Sequence, residues 1–272
     1  MRHTSAPSPY IHSTLRPTTR ELRWFAQIDR HGPQSSEFLY EGTRDTHRCR
    51  DTALRRLQAL REAGYLRLPP QQRQIANADF NPYVYDLTRL GWEMLADHQD
   101  LERHCRPTGH WWHGYWVSAV SSAIDIKATR MGLIYIPATK ILSIRGVDIA
   151  IPVGCQKLIP DQIFAIKYAD GYRAFALEVD RGTEPVRSTA ARKSLHRSVA
   201  QYKKMFGEQI YKSHYGLKSN MTVLWVLNSV GRRRQLQQIC EQHDKRFKTC
   251  DLELTVPKWT ELEGVAARMA LV

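Results

Sequence analysis

The strongest constraint on this chain is a pair of apolar runs around Asp170-Gly171, one leading from Ile159-Pro160-Asp161 and the other ending in Glu178-Val179-Asp180. Asp-Gly between such runs is the strongest short signal for a β-hairpin. A two-residue turn at Asp170-Gly171, or a four-residue loop centred on it, sets Asp161 opposite Asp180 and Ile163 opposite Glu178. Strand side chains alternate, so Asp161, Glu178 and Asp180 share one face with Ile159, Ile163, Ala165, Ala174 and Ala176. Cross-strand partners lie roughly 5 Å apart, and like charges so placed repel. Burying three anions together is costly without a cation, and a divalent metal with oxygen ligands is the simplest one. The alternative is a set of surface acids on an edge hairpin. A three-residue loop would shift the register by one and undo the pairing.

With 272 residues the chain can build two domains, each with its own core. The net charge of +13 points to a polyanionic partner, nucleic acid ahead of an anionic membrane surface. Residues 1–17, rich in Ser, Thr, Pro and His, read as a disordered arm and carry no apolar signal segment. No run is apolar enough to insert in a membrane. Five scattered cysteines without a Cys-x-x-Cys fit a reducing cytoplasm and no zinc ribbon. The cluster His104-Cys105, His110 and His113 matches no zinc spacing, and Trp111-Trp112 beside it reads as interdomain packing.

Residues 18–97 read as three helices, two strands and a helix. Thr18 opens the first helix, which His31-Gly32-Pro33 stops; Ser35-Ser36-Glu37 opens a short second one. The third runs through Leu54, Leu57 and Leu60 to a C′ glycine at Gly64. Strands at 65–68 and 83–87 flank a polar excursion, and Thr88 caps the last helix. This order, with Leu60-Arg61-Glu62-Ala63-Gly64-Tyr65-Leu66 and Tyr85-Asp86-Leu87-Thr88, resembles a winged helix-turn-helix. In such domains the third helix enters the DNA major groove and the wing touches backbone. Arg44, Arg48, Arg50, Arg55 and Arg56 cluster at the start of that helix, with Arg67 and Arg73 on the wing. Residues 98–112 read as a linker.

Residues 113–272 read as a helix, strands at 133–136 and 149–153, the acidic hairpin and a helix over 189–206. A buried strand at 223–227, a basic helix over 232–248 and a strand at 252–254 follow. That is an α+β domain with a mixed sheet. Its order and Pro160-Asp161 with Glu178-Val179-Asp180 resemble the PD-(D/E)xK restriction-endonuclease-like fold. The resemblance implies Mg2+ or Mn2+ held by carboxylates. The sequence departs from that motif at Asp180, where the motif has lysine; Lys193, Lys203 or Lys204 could supply a migrated cation, and Lys203 is carried as the catalytic candidate.

Leu158 to Phe164, Phe175 to Pro185 and the helix to Tyr202 resemble the replication-relaxation family, which includes MobC-type relaxases of mobilisable plasmids. The likeness spans roughly 18–206. It implies a metal site of Asp161, Glu178 and Asp180 for nicking DNA at an origin of transfer or replication. Double-stranded DNA, and other relaxosome or conjugation coupling proteins, are the implied partners. The basic residue some relatives carry four before the tyrosine stands here as Ser198, beside Arg197. Arg181 is a phosphate-contact candidate, Gly182 and Thr183 read as turn and cap, and Tyr202 reads as packing, not as a covalent nucleophile. The rival expectations are a non-catalytic DNA-binding accessory on a nuclease-like scaffold, favoured by the missing lysine, and a general defence or repair nuclease.

Overall fold

The computed structural model describes residues 15–74, 82–104, 110–182, 185–187, 194–240 and 245–251. Most of the arm expected over 1–17 lies outside them, but Leu15 packs on the first core and its carbonyl accepts the Tyr65 hydroxyl at 3.3 Å.

Helix α1 (Thr19–His31) opens where Glu21 accepts the Thr18 amide at 2.8 Å. Gly32, at φ 95°, ends it. Strand β1 (Gln34–Ser35), absent from the sequence reading, precedes α2 (Ser36–Gly42). Helix α3 (Arg50–Glu62) buries Ala53, Leu57 and Leu60. It closes with Tyr65 N–H on Leu60 O and Gly64 N–H on Arg61 O, both 3.0 Å, Gly64 being left-handed at φ 85°. Strands β2 (Leu66–Arg67) and β3 (Val84–Leu87) pair antiparallel, with β1 on the other edge of β3. Thr88 caps α4 (Arg89–Ala96) through the Gly91 amide at 3.2 Å.

The stretch read as a linker is tied to α1: the Glu102 and Arg103 amides donate to the Asp29 carboxylate at 2.6 and 3.1 Å. Helix α5 (Trp111–Arg130) starts inside the expected linker. It is buried on most of its surface because it serves two cores. Toward α1 and β1 it presents small polar residues: Ser118 to Gln34 at 2.6 Å, Ser121 to His31 at 3.0 Å, and Asp125 to His31 at 2.8 Å. Toward the sheet it presents Val117, Val120 and Ile124.

The chain then forms β4 (Ile134–Pro137), α6 (Ala138–Ser143), a hairpin of β5 (Ile151–Val153) and β6 (Gln156–Leu158), then β7 (Gln162–Tyr168) and β8 (Gly171–Asp180). Helices α7 (Leu195–Gly207) and α8 (Ile210–Tyr215), strand β9 (Met221–Leu227), α9 (Val230–Cys240) and β10 (Phe247–Asp251) follow. The five-stranded sheet runs β10-β9-β8-β7-β4, antiparallel from β4 to β8 and parallel from β8 to β10. The architecture is therefore mixed α/β with a mixed sheet. Central strand β8 is covered on both faces, which is why it reads as almost continuous apolar sequence. Phe164, Ile166, Phe175 and Leu177 pack toward α5; Ile163, Ala165, Ala174 and Ala176 pack toward Val199 and Tyr202 of α7.

Three expectations need correction. The strand read at 149–153 leaves the main sheet and pairs with β6 alone; Pro152 at its centre lacks the amide a central strand must donate. The basic helix read over 232–248 ends at Cys240 and gives way to β10 at Phe247, where Phe, Thr and Cys favour a strand. The strand expected at 252–254, and the start of the helix expected over 189–206 as far as residue 193, lie outside the described residues. The hairpin turns at Ala169-Asp170, not Asp170-Gly171: Tyr168 pairs with Gly171, which takes φ 150° as the first residue of β8. Every pair is thereby displaced by two residues from the expected register. No described helix is long and apolar enough to cross a membrane.

Candidate functional site

A slip of two residues preserves strand parity, so Glu178 and Asp180 keep the face shared with Ala174 and Ala176. The partner changes. Gln162 pairs with Leu177, so Asp161, one residue before β7, stands beside Glu178 instead of Asp180. Asp161 fastens the end of the ladder with its own side chain, Oδ2 accepting the Val179 amide at 2.8 Å. Its Oδ1 lies 3.0 Å from Nε2 of His113 in the first turn of α5.

Glu178 is 1% exposed and accepts the Tyr202 hydroxyl at Oε1, 2.6 Å away. Tyr202 is fully buried between the sheet and α7. Burial, and after it the charge of Glu178, push the Tyr202 hydroxyl well above the ordinary tyrosine value, with Asp161 adding to the shift. The phenol is thus held protonated as a donor to Glu178, with none of its surface exposed.

Asp180, 3% exposed, is matched to a cation of the protein itself. Arg232 Nε donates to its Oδ2 at 2.6 Å, and the Gly182 amide donates to Oδ1 at 2.7 Å. Arg232 sits in the first turn of α9, and its amide donates to Ser229 Oγ at 3.2 Å. The sequence reading missed it, taking Gly231 to Arg234 as a generic basic stretch. The one local signal was Ser229, a capping residue three positions ahead of Arg232. His113 was also missed, set aside with the histidine cluster; of that cluster, His104 donates its amide to Asp29 O at 2.7 Å on α1.

Each of the three acids has a protein neighbour, His113 at Asp161, Tyr202 at Glu178 and Arg232 at Asp180, and Arg232 brings a fixed positive charge. Among the described residues no three His, Cys, Asp or Glu side chains gather as a metal-binding group. Asp161 and Glu178 adjoin one another, and two carboxylates completed by water and phosphate oxygens suit Mg2+. Asp180 already accepts one donor at each oxygen, from Arg232 and from the Gly182 amide. Of the cation candidates, Lys203 is half-buried on α7 next to Tyr202. Lys204 is turned to the β5–β6 turn, its Nζ closing on Gly154. Lys193 lies outside the described residues. Ser198 is buried on the sheet side of α7.

The arginines of the N-terminal part divide. Arg50 is paired with Glu37, Arg56 with Glu21 and Arg67 with Asp86. Arg44 lies 3.6 Å from Glu41. Arg48 and Arg55 are exposed and make no ion pair among the described residues. The side chain of Arg73 lies outside those residues. Arg181, half-buried, leaves β8 beside the acids, its carbonyl held by Asn228 at 2.6 Å.

The replication-relaxation profile matches residues 25–221, well over half of the chain. The chain belongs to the replication-relaxation family. The match opens in α1 and closes at the first residue of β9, so this family member carries Asp161, Glu178, Asp180 and Tyr202 within the shared part and Arg232 beyond it. No curated protein and no solved structure matches the chain.

Proposed function

We propose that this member of the replication-relaxation family processes plasmid DNA, nicking an origin of transfer or replication. Residues 18–97 act as a winged-helix reader of the duplex, and the five-stranded sheet acts as a PD-(D/E)xK-like nuclease. The observation that carries this reading is the meeting of Asp161 and Glu178 at the end of the β7–β8 ladder in a strongly basic chain. Exposed Arg48, two residues ahead of α3, and Arg55 within it are the leading phosphate contacts, and Arg181 is a third beside the acids. Relaxosome and coupling proteins are the partners such a role would need.

Asp161 and Glu178 would hold Mg2+ or Mn2+. Bound there, the metal would supply Lewis acidity toward the scissile phosphate and its leaving oxygen. The remaining roles belong to the protein. His113 orients Asp161. Tyr202 orients Glu178 and, staying protonated, blocks a second negative charge beside it. Arg232 offsets the charge of Asp180, which leaves Asp161 and Glu178 as the pair offered to the metal. Lys203 is the candidate for the cation that the motif places at position 180.

A second reading has its own support. The Asp180–Arg232 pair and the missing motif lysine suit a binding-only protein that keeps the scaffold. Supercoiled plasmid bearing the cognate origin, incubated with protein and Mn2+ or with EDTA, separates the two. Metal-dependent relaxed circles support the nickase; a gel shift without relaxation supports the accessory. Cutting of unrelated plasmid at the same rate would instead indicate a general nuclease.

A further inference from the structure

The first turns of α5 place four large aromatic side chains within six residues: Trp111, Trp112, Tyr115 and Trp116. The last of them is used for packing, against the core formed by Phe38, Ala119, Ala123 and Ile126. Trp111 and Trp112 are half-buried, as Trp116 is, but pack against no described core cluster; they are set edge to face with centroids 4.7 Å apart, and Trp111 lies flat on Tyr115 at 5.7 Å with planes 4° apart. Flat rings of this kind also stack on the planar faces of bases.

The position of these indoles gives them meaning. His113 follows them directly and its Nε2 reaches Asp161, so the pair stands within one helical turn of the residue that touches the acid site. The first turn of α5 contains no acid, and its amides are the positive end of a twenty-residue helix. Flat aromatic faces next to such an end suit an anionic strand with accessible bases. Duplex bases are stacked inside their helix, and only unpaired ones can lie on a protein ring.

We propose that Trp111 and Trp112 form a stacking platform for unpaired bases of a single DNA strand led past Asp161 and Glu178. This rests on the DNA-processing reading above and adds its substrate form: the strand is presented locally melted. The indoles are positioning groups for the strand, because they touch bases and not the scissile phosphate.

The test uses the full-length protein and an oligothymidylate carrying one fluorescent adenine analogue, whose emission falls when it stacks. Wild-type protein should bind the single strand and quench the analogue. Trp111→Ala and Trp112→Ala should each weaken that binding roughly tenfold, the effect of losing one stacked base. Trp111→Phe, which keeps a flat ring, should retain most of it. Affinity for duplex DNA should be unchanged in all three. Alanine variants that bind the single strand like wild type overturn the proposal. So does an equal loss of single-strand and duplex binding, which would report misfolding or a general interface. The binding readout requires no nicking, so an inactive acid site and a missing platform give different results.

Discussion

Tyr202 donates its hydroxyl to Glu178 across 2.6 Å at a point where neither side chain reaches solvent. A buried acceptor stripped of its donor loses about 1–3 kcal/mol. Tyr202→Phe, which keeps the ring, should lower unfolding stability by that order in urea titration. The raised hydroxyl also sets a pH dependence. A group that titrates higher when folded contributes stability that is complete below its unfolded value and lost as the pH rises above it. Stability should therefore fall above about pH 10, the ordinary tyrosine value, and less steeply in Tyr202→Phe.

Arg232 and Asp180 should behave as a coupled unit. Removing one member of a buried ion pair costs about 3–5 kcal/mol because the other charge is left uncompensated. Arg232→Met alone should approach that loss. Arg232→Met with Asp180→Asn should recover a large share of it, and a double-mutant cycle in urea measures the difference. Additive losses would separate the two residues energetically.

Asp125 joins the N-terminal helices to α5 through Arg30 and His31, at 2.8 Å each. Burial works to raise its carboxyl, but the hydrogen bonds and charges of His31 and Arg30 outweigh burial and hold it below the ordinary 3.8. A lowered carboxyl contributes stability that is complete above the unfolded value and lost as the pH falls through the folded one. Acid titration of thermal stability should show a loss beginning near pH 4. Asp125→Asn should flatten that part of the curve.

Arg48 and Arg55 should affect DNA, while Arg56 should affect the fold. Neutralising a phosphate contact lowers the salt slope of binding by about 1 without changing sequence preference. Arg48→Ala and Arg55→Ala should do this and leave unfolding unchanged. Arg56→Ala leaves Glu21, 2% exposed, without its guanidinium and should cost on the order of 1–3 kcal/mol.

Much of this was legible in the sequence, for identifiable reasons. The helix ends at Thr18, Gly64 and Thr88 are written in local chemistry that needs no distant partner. The shared face of Glu178 and Asp180 was legible because side-chain alternation survives a slip of two. The turn itself was not: Asp-Gly marks a reversal without saying whether Gly171 lies in the turn or closes it. Register followed the turn, so Asp161 was assigned the wrong neighbour. The partners of the acids were beyond local reading altogether. Arg232 is 52 positions from Asp180, and His113 is 48 from Asp161. Only the packing of α5 and α9 against the sheet brings them there.

The most direct measurement is relaxation of supercoiled plasmid carrying the cognate origin, in Mn2+, by wild type, Asp161→Ala and Glu178→Ala, with duplex binding followed in parallel by gel shift. Wild type should produce relaxed circles that EDTA abolishes, and each alanine variant should bind the duplex but leave it supercoiled. Relaxation by both variants at the wild-type rate would contradict the assignment of Asp161 and Glu178 as the reactive pair.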